Sequence, residues 1–204
     1  MKLLSQLKKL KNSEISKLVA KRISEFEKIK SKAKIFQELC FCILTANFNA
    51  ERAIKIQESI GKGFLEFSKQ KLASLLKKLG HRFPKTRASY IIEAREFLDR
   101  IYMITKSYDC YSAREWLVKN IKGIGYKEAS HFLRNIGCKN LAILDFHVLD
   151  LLARNKIIHK PKILTKKKYL TIENKLKNFA KMLNLSLAEL DLYLWYLETG
   201  KILK

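Results

Sequence analysis

At 204 residues the chain is long enough for one core or two small lobes, and 48% hydrophobic residues with only 7 Gly and 2 Pro exclude collagen-like, low-complexity and wholly disordered classes. Lys and Arg number 42 against 19 Asp and Glu, so the formal net charge is +23 and a compact fold repels itself unless a polyanion meets it. Nucleic acid is the first such partner and an anionic membrane surface the second. A thermophile's lysine-rich surface, the third reading, usually adds Glu along with Lys and does not account for so large an imbalance. No run of about 18 apolar residues occurs, so no membrane span is expected. Lys8, Lys9 and Lys11 break up the start, where a signal peptide needs a continuous apolar stretch, and the expectation is a cytoplasmic protein.

Taken in chain order, the apolar residues recur almost everywhere with helical spacing. Helices are expected over 13–28, 35–45, 50–61, 70–79, 87–102, 113–120, 127–136, 145–155, 166–183 and 186–199. The 35–45 segment is apolar on most sides, as a central buried helix would be, and 87–102 carries Tyr90, Ile91, Ala94, Phe97, Leu98 and Ile101 on one face. Ser186 with Glu189 has the spacing of a capping box, and Gly137 and Gly200 stand where helix C-terminal caps belong. Lys160 to Lys168, with Pro161, reads as an exposed connection. No alternating strand pattern is sustained, and the fold class is all-α.

The four cysteines, Cys40, Cys42, Cys110 and Cys138, lack zinc-ligand spacing, and His81, His131, His147 and His159 are equally dispersed, so no structural metal is expected. Cys40 and Cys42 lie in an apolar run, where small thiols are ordinary core residues.

The stretch Ile121-Lys122-Gly123-Ile124-Gly125-Tyr126-Lys127-Glu128-Ala129 is the most informative. One helix ends, Gly123-Ile124-Gly125 turns the chain, and a second helix starts at once. The glycines reverse the backbone without a Cβ penalty and leave N–H groups at a helix N-terminus, a site for a phosphate. A neutral αα-hairpin would use the same glycines.

With a hydrophobe before the first glycine, Ile between the two, and Lys then Ala after the second, this segment resembles the helix-hairpin-helix of the DNA base-excision glycosylases. In the bifunctional members a catalytic Asp lies about 18 residues beyond the hairpin lysine; here Asp145 lies 18 residues after Lys127. The resemblance implies that Lys127 attacks C1′ of the nucleotide as a neutral amine and forms a Schiff base. Asp145 would stabilise the developing charge of the sugar and help move the amine's proton. Taken singly, Lys127 reads as a solvated first-turn lysine and Asp145 as the N-cap of the helix that carries Val148, Leu149 and Leu152.

Four longer strings, 39–47, Gly80-His81-Arg82-Phe83, 122–135 and 192–204, look like the type-2 8-oxoguanine DNA glycosylase/lyases. The resemblance implies a single module of two helical lobes over 1–204, with the hairpin at about 112–137 and the helices of 164–204 closing the base pocket. It implies double-stranded DNA containing oxidised guanine as the partner, a monomeric prokaryotic enzyme associated with the nucleoid, and no iron–sulfur cluster or other cofactor. A monovalent cation under the hairpin carbonyls is left open. One departure is that Phe146 stands where the family usually has Arg, between Asp145 and His147.

Further roles follow from the same resemblance. Gly123 and Gly125 bind the DNA backbone, and His147 touches the phosphate beside the lesion, with a packed or surface histidine as the alternative. Asn47 fills the gap left by the extruded base, or else caps its helix. Arg82 supplies a hydrogen-bonding group and Phe83 a stacking one at the lesion or its opposite base, Phe83 helping to recognise the oxidised base unless it is core. Trp195, by spacing alone a core residue, becomes a platform for the extruded base. Lys204, by position alone a frayed end, enters the base pocket. Two alternatives are a non-catalytic helix-hairpin-helix DNA-binding module and a glycosylase/lyase for another lesion such as thymine glycol.

Overall fold

The structure, a computed structural model, describes residues 2–204. Thirteen helices and no strand are present among them: α1 (Lys2–Lys11), α2 (Ile15–Glu27), α3 (Lys32–Thr45), α4 (Ala50–Ile60), α5 (Gly63–Glu66), α6 (Lys69–Lys78), α7 (Pro84–Arg95), α8 (Leu98–Ser107), α9 (Cys110–Asn120), α10 (Tyr126–Asn135), α11 (Phe146–Arg154), α12 (Lys166–Lys181) and α13 (Leu187–Thr199). The all-α expectation holds. The chain divides into two compact units, one formed by Ile29–Ile136 and the other by the residues up to Lys28 together with Gly137–Lys204. Among the described residues no helix is long and apolar enough to cross a membrane.

Helix starts are written locally. Ser31, Asn49, Ser68 and Thr165 each accept a hydrogen bond from a first-turn backbone N–H through a side-chain oxygen, filling donors that an α-helix leaves open. Ser186 and Glu189 form the reciprocal box expected of them, and Gly200 ends α13 with φ +70°.

Two differences from the residue pattern stand out. The 87–102 stretch is two helices. Glu96 closes α7 and Phe97, with φ −100° and ψ 8°, opens α8, its ring edge-on to Trp116 at 5.9 Å. No Gly or Pro marks the break, so tertiary packing rather than local propensity sets it. The pattern also passed over α1, whose Leu3 and Leu7 are fully buried despite the surrounding lysines.

In the 29–136 unit, α3 is the hydrophobic centre. Phe36, Leu39, Phe41, Ile43 and Leu44 have no exposed surface, and each such side chain stabilises the fold by about 1.5 to 3 kcal/mol through burial. Cys40 and Cys42 are buried in the same helix, and burial pushes the Cys40 thiol well up, which makes it an inert core group. A polar thread ties α3 to its neighbours. Glu38, 5% exposed, accepts from Gln57 Nε2 at 3.1 Å and from Asn135 Nδ2 at 3.0 Å. These bonds fix the C-terminal end of α10, while buried Arg114 donates to Ser130 Oγ at 3.2 Å in its middle.

In the other unit, α13 packs on α2, α11 and α12. The extended segment leading to α11 is held by α12: the Ala142 N–H donates to buried Glu173 at 2.8 Å, and Tyr169 Oη donates to the Ala142 carbonyl at 2.6 Å. Leu141, Ala142, Ile143 and Leu144 are all buried around that anchor, so the residue that follows them, Asp145, starts from a fixed backbone.

Candidate active site

The expected site residues fall in both units. Asn47, Arg82, Phe83, Gly123, Gly125 and Lys127 belong to the 29–136 unit, and Asp145, His147, Trp195 and Lys204 to the other.

The hairpin is built as its glycines require. Gly123 has φ +79°, and a Cβ there would lie 2.5 Å from the Tyr90 ring. Replacement by Ala meets both a left-handed backbone and an aromatic wall, so Gly123→Ala should destabilise the protein by on the order of 2 kcal/mol or more, read as a lowered urea midpoint at unchanged slope. Gly125 is the N-cap of α10, and its N–H donates to Glu128 Oε2 at 3.3 Å.

Lys127 lies in the first turn of α10 with 23% of its side chain exposed, and its Nζ is 3.4 Å from Glu128 Oε1. Glu128 thus holds the turn with one oxygen and the lysine with the other. Sequence reasoning passed over this residue; the available signal was a carboxylate three residues after the N-cap glycine, the spacing of a capping box.

A second cluster joins the loop after α3 to the turn before α7. Asn47 is exposed, with φ +58°, just past the C-cap Ala46. Arg82 is exposed and lies over the Phe83 ring, its guanidinium carbon 4.9 Å from the centroid; Phe83 is 37% exposed. The connection is Arg87, another residue that the motif reading missed. It is buried, donates to the Ala46 carbonyl at 2.6 Å, and places its guanidinium 5.9 Å from the Phe83 centroid and 5.8 Å from that of Tyr90. Because Tyr90 also backs Gly123, one arginine links the Asn47 loop, the Arg82–Phe83 turn and the hairpin floor. Burial lowers its pKa, with Tyr90 and Glu128 opposing.

In the other unit Asp145 is the N-cap of α11, and Oδ1 accepts the Val148 N–H at 2.8 Å. His147 stands edge-on to Trp195, centroids 5.2 Å apart at 90°, so these two candidates are brought together. Trp195 is partly exposed. Phe146 is 65% exposed and lies against the His147 ring at 3.8 Å, an apolar surface where the resemblance leads one to expect a cation. Lys204 is partly buried in the segment after α13. No group of three or more His, Cys, Asp or Glu residues suited to a metal ion occurs among the described residues.

The family model described as 8-oxoguanine DNA glycosylase matches residues 19–185. An 8-oxoguanine DNA glycosylase/AP lyase of Methanocaldococcus jannaschii is 53% identical over 100% of both chains, and one of Korarchaeum cryptofilum is 49% identical over 99% of this chain and 98% of its own length. The crystal structure of the Methanocaldococcus jannaschii 8-oxoguanine glycosylase/lyase in complex with a 15mer DNA containing 8-oxoguanine superimposes with a TM-score of 0.97, at 52% identity and 100% coverage of each chain. Sharing the hairpin, the all-helical order and full-length similarity with these proteins, the chain belongs to the 8-oxoguanine DNA glycosylase family.

Proposed function

We propose that this protein excises 8-oxoguanine from duplex DNA and then cleaves the strand at the abasic site, as a base-excision repair enzyme. The observation that carries the reading is Lys127 in the first turn of the hairpin's second helix, in a chain similar over its whole length to a glycosylase/AP lyase.

The chemistry rests on Lys127 and Asp145. The neutral amine of Lys127 attacks C1′, the C1′–N9 bond breaks, and the base leaves with the bonding electron pair. The resulting C1′–N linkage opens the sugar ring to a Schiff base. That cation acidifies C2′, loss of a C2′ proton follows, and the C3′–O bond breaks with the phosphate as leaving group. Asp145 supplies negative charge opposite the developing oxocarbenium and accepts the lysine's proton. Glu128 is a positioning residue: it holds both the Gly125 N–H and the Lys127 ammonium until DNA enters.

DNA is held by its backbone at the Gly123–Gly125 turn and the N-terminus of α10, with +23 of net charge behind that contact. A monovalent cation on the hairpin carbonyls would add to the same site. Asn47 occupies the gap in the duplex, Arg82 and Phe83 provide a hydrogen-bonding and a stacking group at the lesion or its opposite base, and His147 touches the adjacent phosphate. Trp195 and the segment ending in Lys204 receive the extruded base. The enzyme works as a cytoplasmic monomer at the nucleoid, and 1–204 acts as one catalytic module.

Trp195→Ala tests the base platform. It should lower 8-oxoguanine excision about 10-fold to 100-fold, the equivalent of about 1 to 3 kcal/mol of lost stacking, while cleavage of a preformed abasic site changes little. Equal losses on both substrates would assign Trp195 to the core.

A further inference from the structure

His81 is 4% exposed, and both ring nitrogens are engaged. Nε2 lies 3.0 Å from the Leu44 carbonyl, and Nδ1 accepts the Phe83 N–H at 3.0 Å. A carbonyl only accepts and a backbone N–H only donates, so the ring is neutral with its proton on Nε2. The ring of Phe48, next to Asn47 in the same loop, lies against it with centroids 4.2 Å apart and a tilt of 34°. The charged groups facing the ring are Arg87 from α7 and Arg52 from α4, both cations; Arg52 also donates to the Gly80 carbonyl at 2.8 Å.

We propose that His81 is a positioning residue for DNA, a neutral two-ended tie that holds the Arg82–Phe83 turn in register with the loop presenting Asn47, and that its protonation releases that turn. The inference rests on Asn47, Arg82 and Phe83 being DNA contacts. Protonation would place a second N–H on Nδ1, facing the Phe83 N–H. Two donors would then meet, and the turn would lose its acceptor beside two guanidinium groups. Burial is the main cause that lowers the His81 pKa, with the Leu44 carbonyl opposing and Arg87 and Arg52 assisting. The folded protein therefore binds this proton less readily than the unfolded chain. The stability from neutral His81 is complete above the ordinary histidine range and is lost as pH falls from there through the lowered folded value.

The test is steady-state excision of 8-oxoguanine from about pH 8 to about pH 5, with KM and kcat separated and melting followed at each pH. Two variants split the tie. His81→Gln retains a donor for the Leu44 carbonyl, and His81→Asn retains an acceptor near the Phe83 N–H; neither side chain titrates. KM of the unaltered enzyme should rise with acid by about 3-fold to 10-fold beyond any change in kcat, the worth of one hydrogen bond. His81→Gln should show the raised KM at every pH. His81→Asn should rescue the low KM and keep it into acid. A flat KM in the unaltered enzyme, or the same acid rise in His81→Asn, would overturn the tie. Arg82→Ala and Phe83→Ala separate the two layers: if neither raises KM, the DNA-contact reading fails, and if both do while the His81 predictions fail, only the tie is lost. Should His81→Gln not fold, the unaltered profile and His81→Asn still decide.

Discussion

Lys127→Gln should abolish covalent capture of DNA by borohydride, because an amide nitrogen cannot form the Schiff base that the reductant traps. The loss should reach the detection limit, a larger effect than any other single change here. Its interpretation depends on the fold staying intact, and the geometry favours that. Lys127 is partly exposed, it makes a 3.4 Å ion pair with Glu128, and the helix is anchored elsewhere by Ser130 and Asn135. Pairs of this exposure are worth roughly 0 to 1 kcal/mol, so the melting temperature should move by no more than a few degrees. Duplex binding should persist. A variant that still cross-links at the original rate would move the nucleophile to another amine.

Asp145→Asn is expected to give the second largest effect, and it separates the cap that Asp145 forms on α11 from the catalytic role proposed for the same side chain. Oδ1 caps α11 through the Val148 N–H. Asn caps helices about as well as Asp, so this substitution keeps the bond while removing the charge. Excision should fall by on the order of 10² to 10³ or more, with melting nearly unchanged, since a preorganised charge opposite the sugar is lost. Asp145→Ala should show the same catalytic loss together with roughly 1 kcal/mol of destabilisation from the missing cap. Normal excision by Asp145→Asn, with early melting of Asp145→Ala, would leave the residue as a cap alone.

What could be read from the residues follows a physical division. The hairpin was legible because its constraints are local: a left-handed backbone at Gly123, a helix start at Gly125 and a first-turn lysine all lie within five residues. The capping box of Ser186 and Glu189 was legible for the same reason. Long-range anchors were not. Glu38 with Asn135 and Glu173 with Ala142 join residues 97 and 31 positions apart, and neither pair has a local signature. Arg87 was invisible because its use depends on three partners, Ala46, Phe83 and Tyr90, that only the fold assembles. The break between α7 and α8 was hidden by an apolar face that continues across it.

In the proposed mechanism one protein both removes 8-oxoguanine and captures the sugar through Lys127. The most direct measurement is borohydride reduction of the unaltered protein with three duplexes, carrying 8-oxoguanine, thymine glycol or a preformed abasic site, followed by proteolysis and mass mapping of the DNA-linked peptide. Covalent adducts are expected with the 8-oxoguanine and abasic duplexes, little with thymine glycol, and attachment at Lys127 in both adducts. An adduct with the abasic duplex but none with 8-oxoguanine, or attachment at any other residue, would contradict that mechanism.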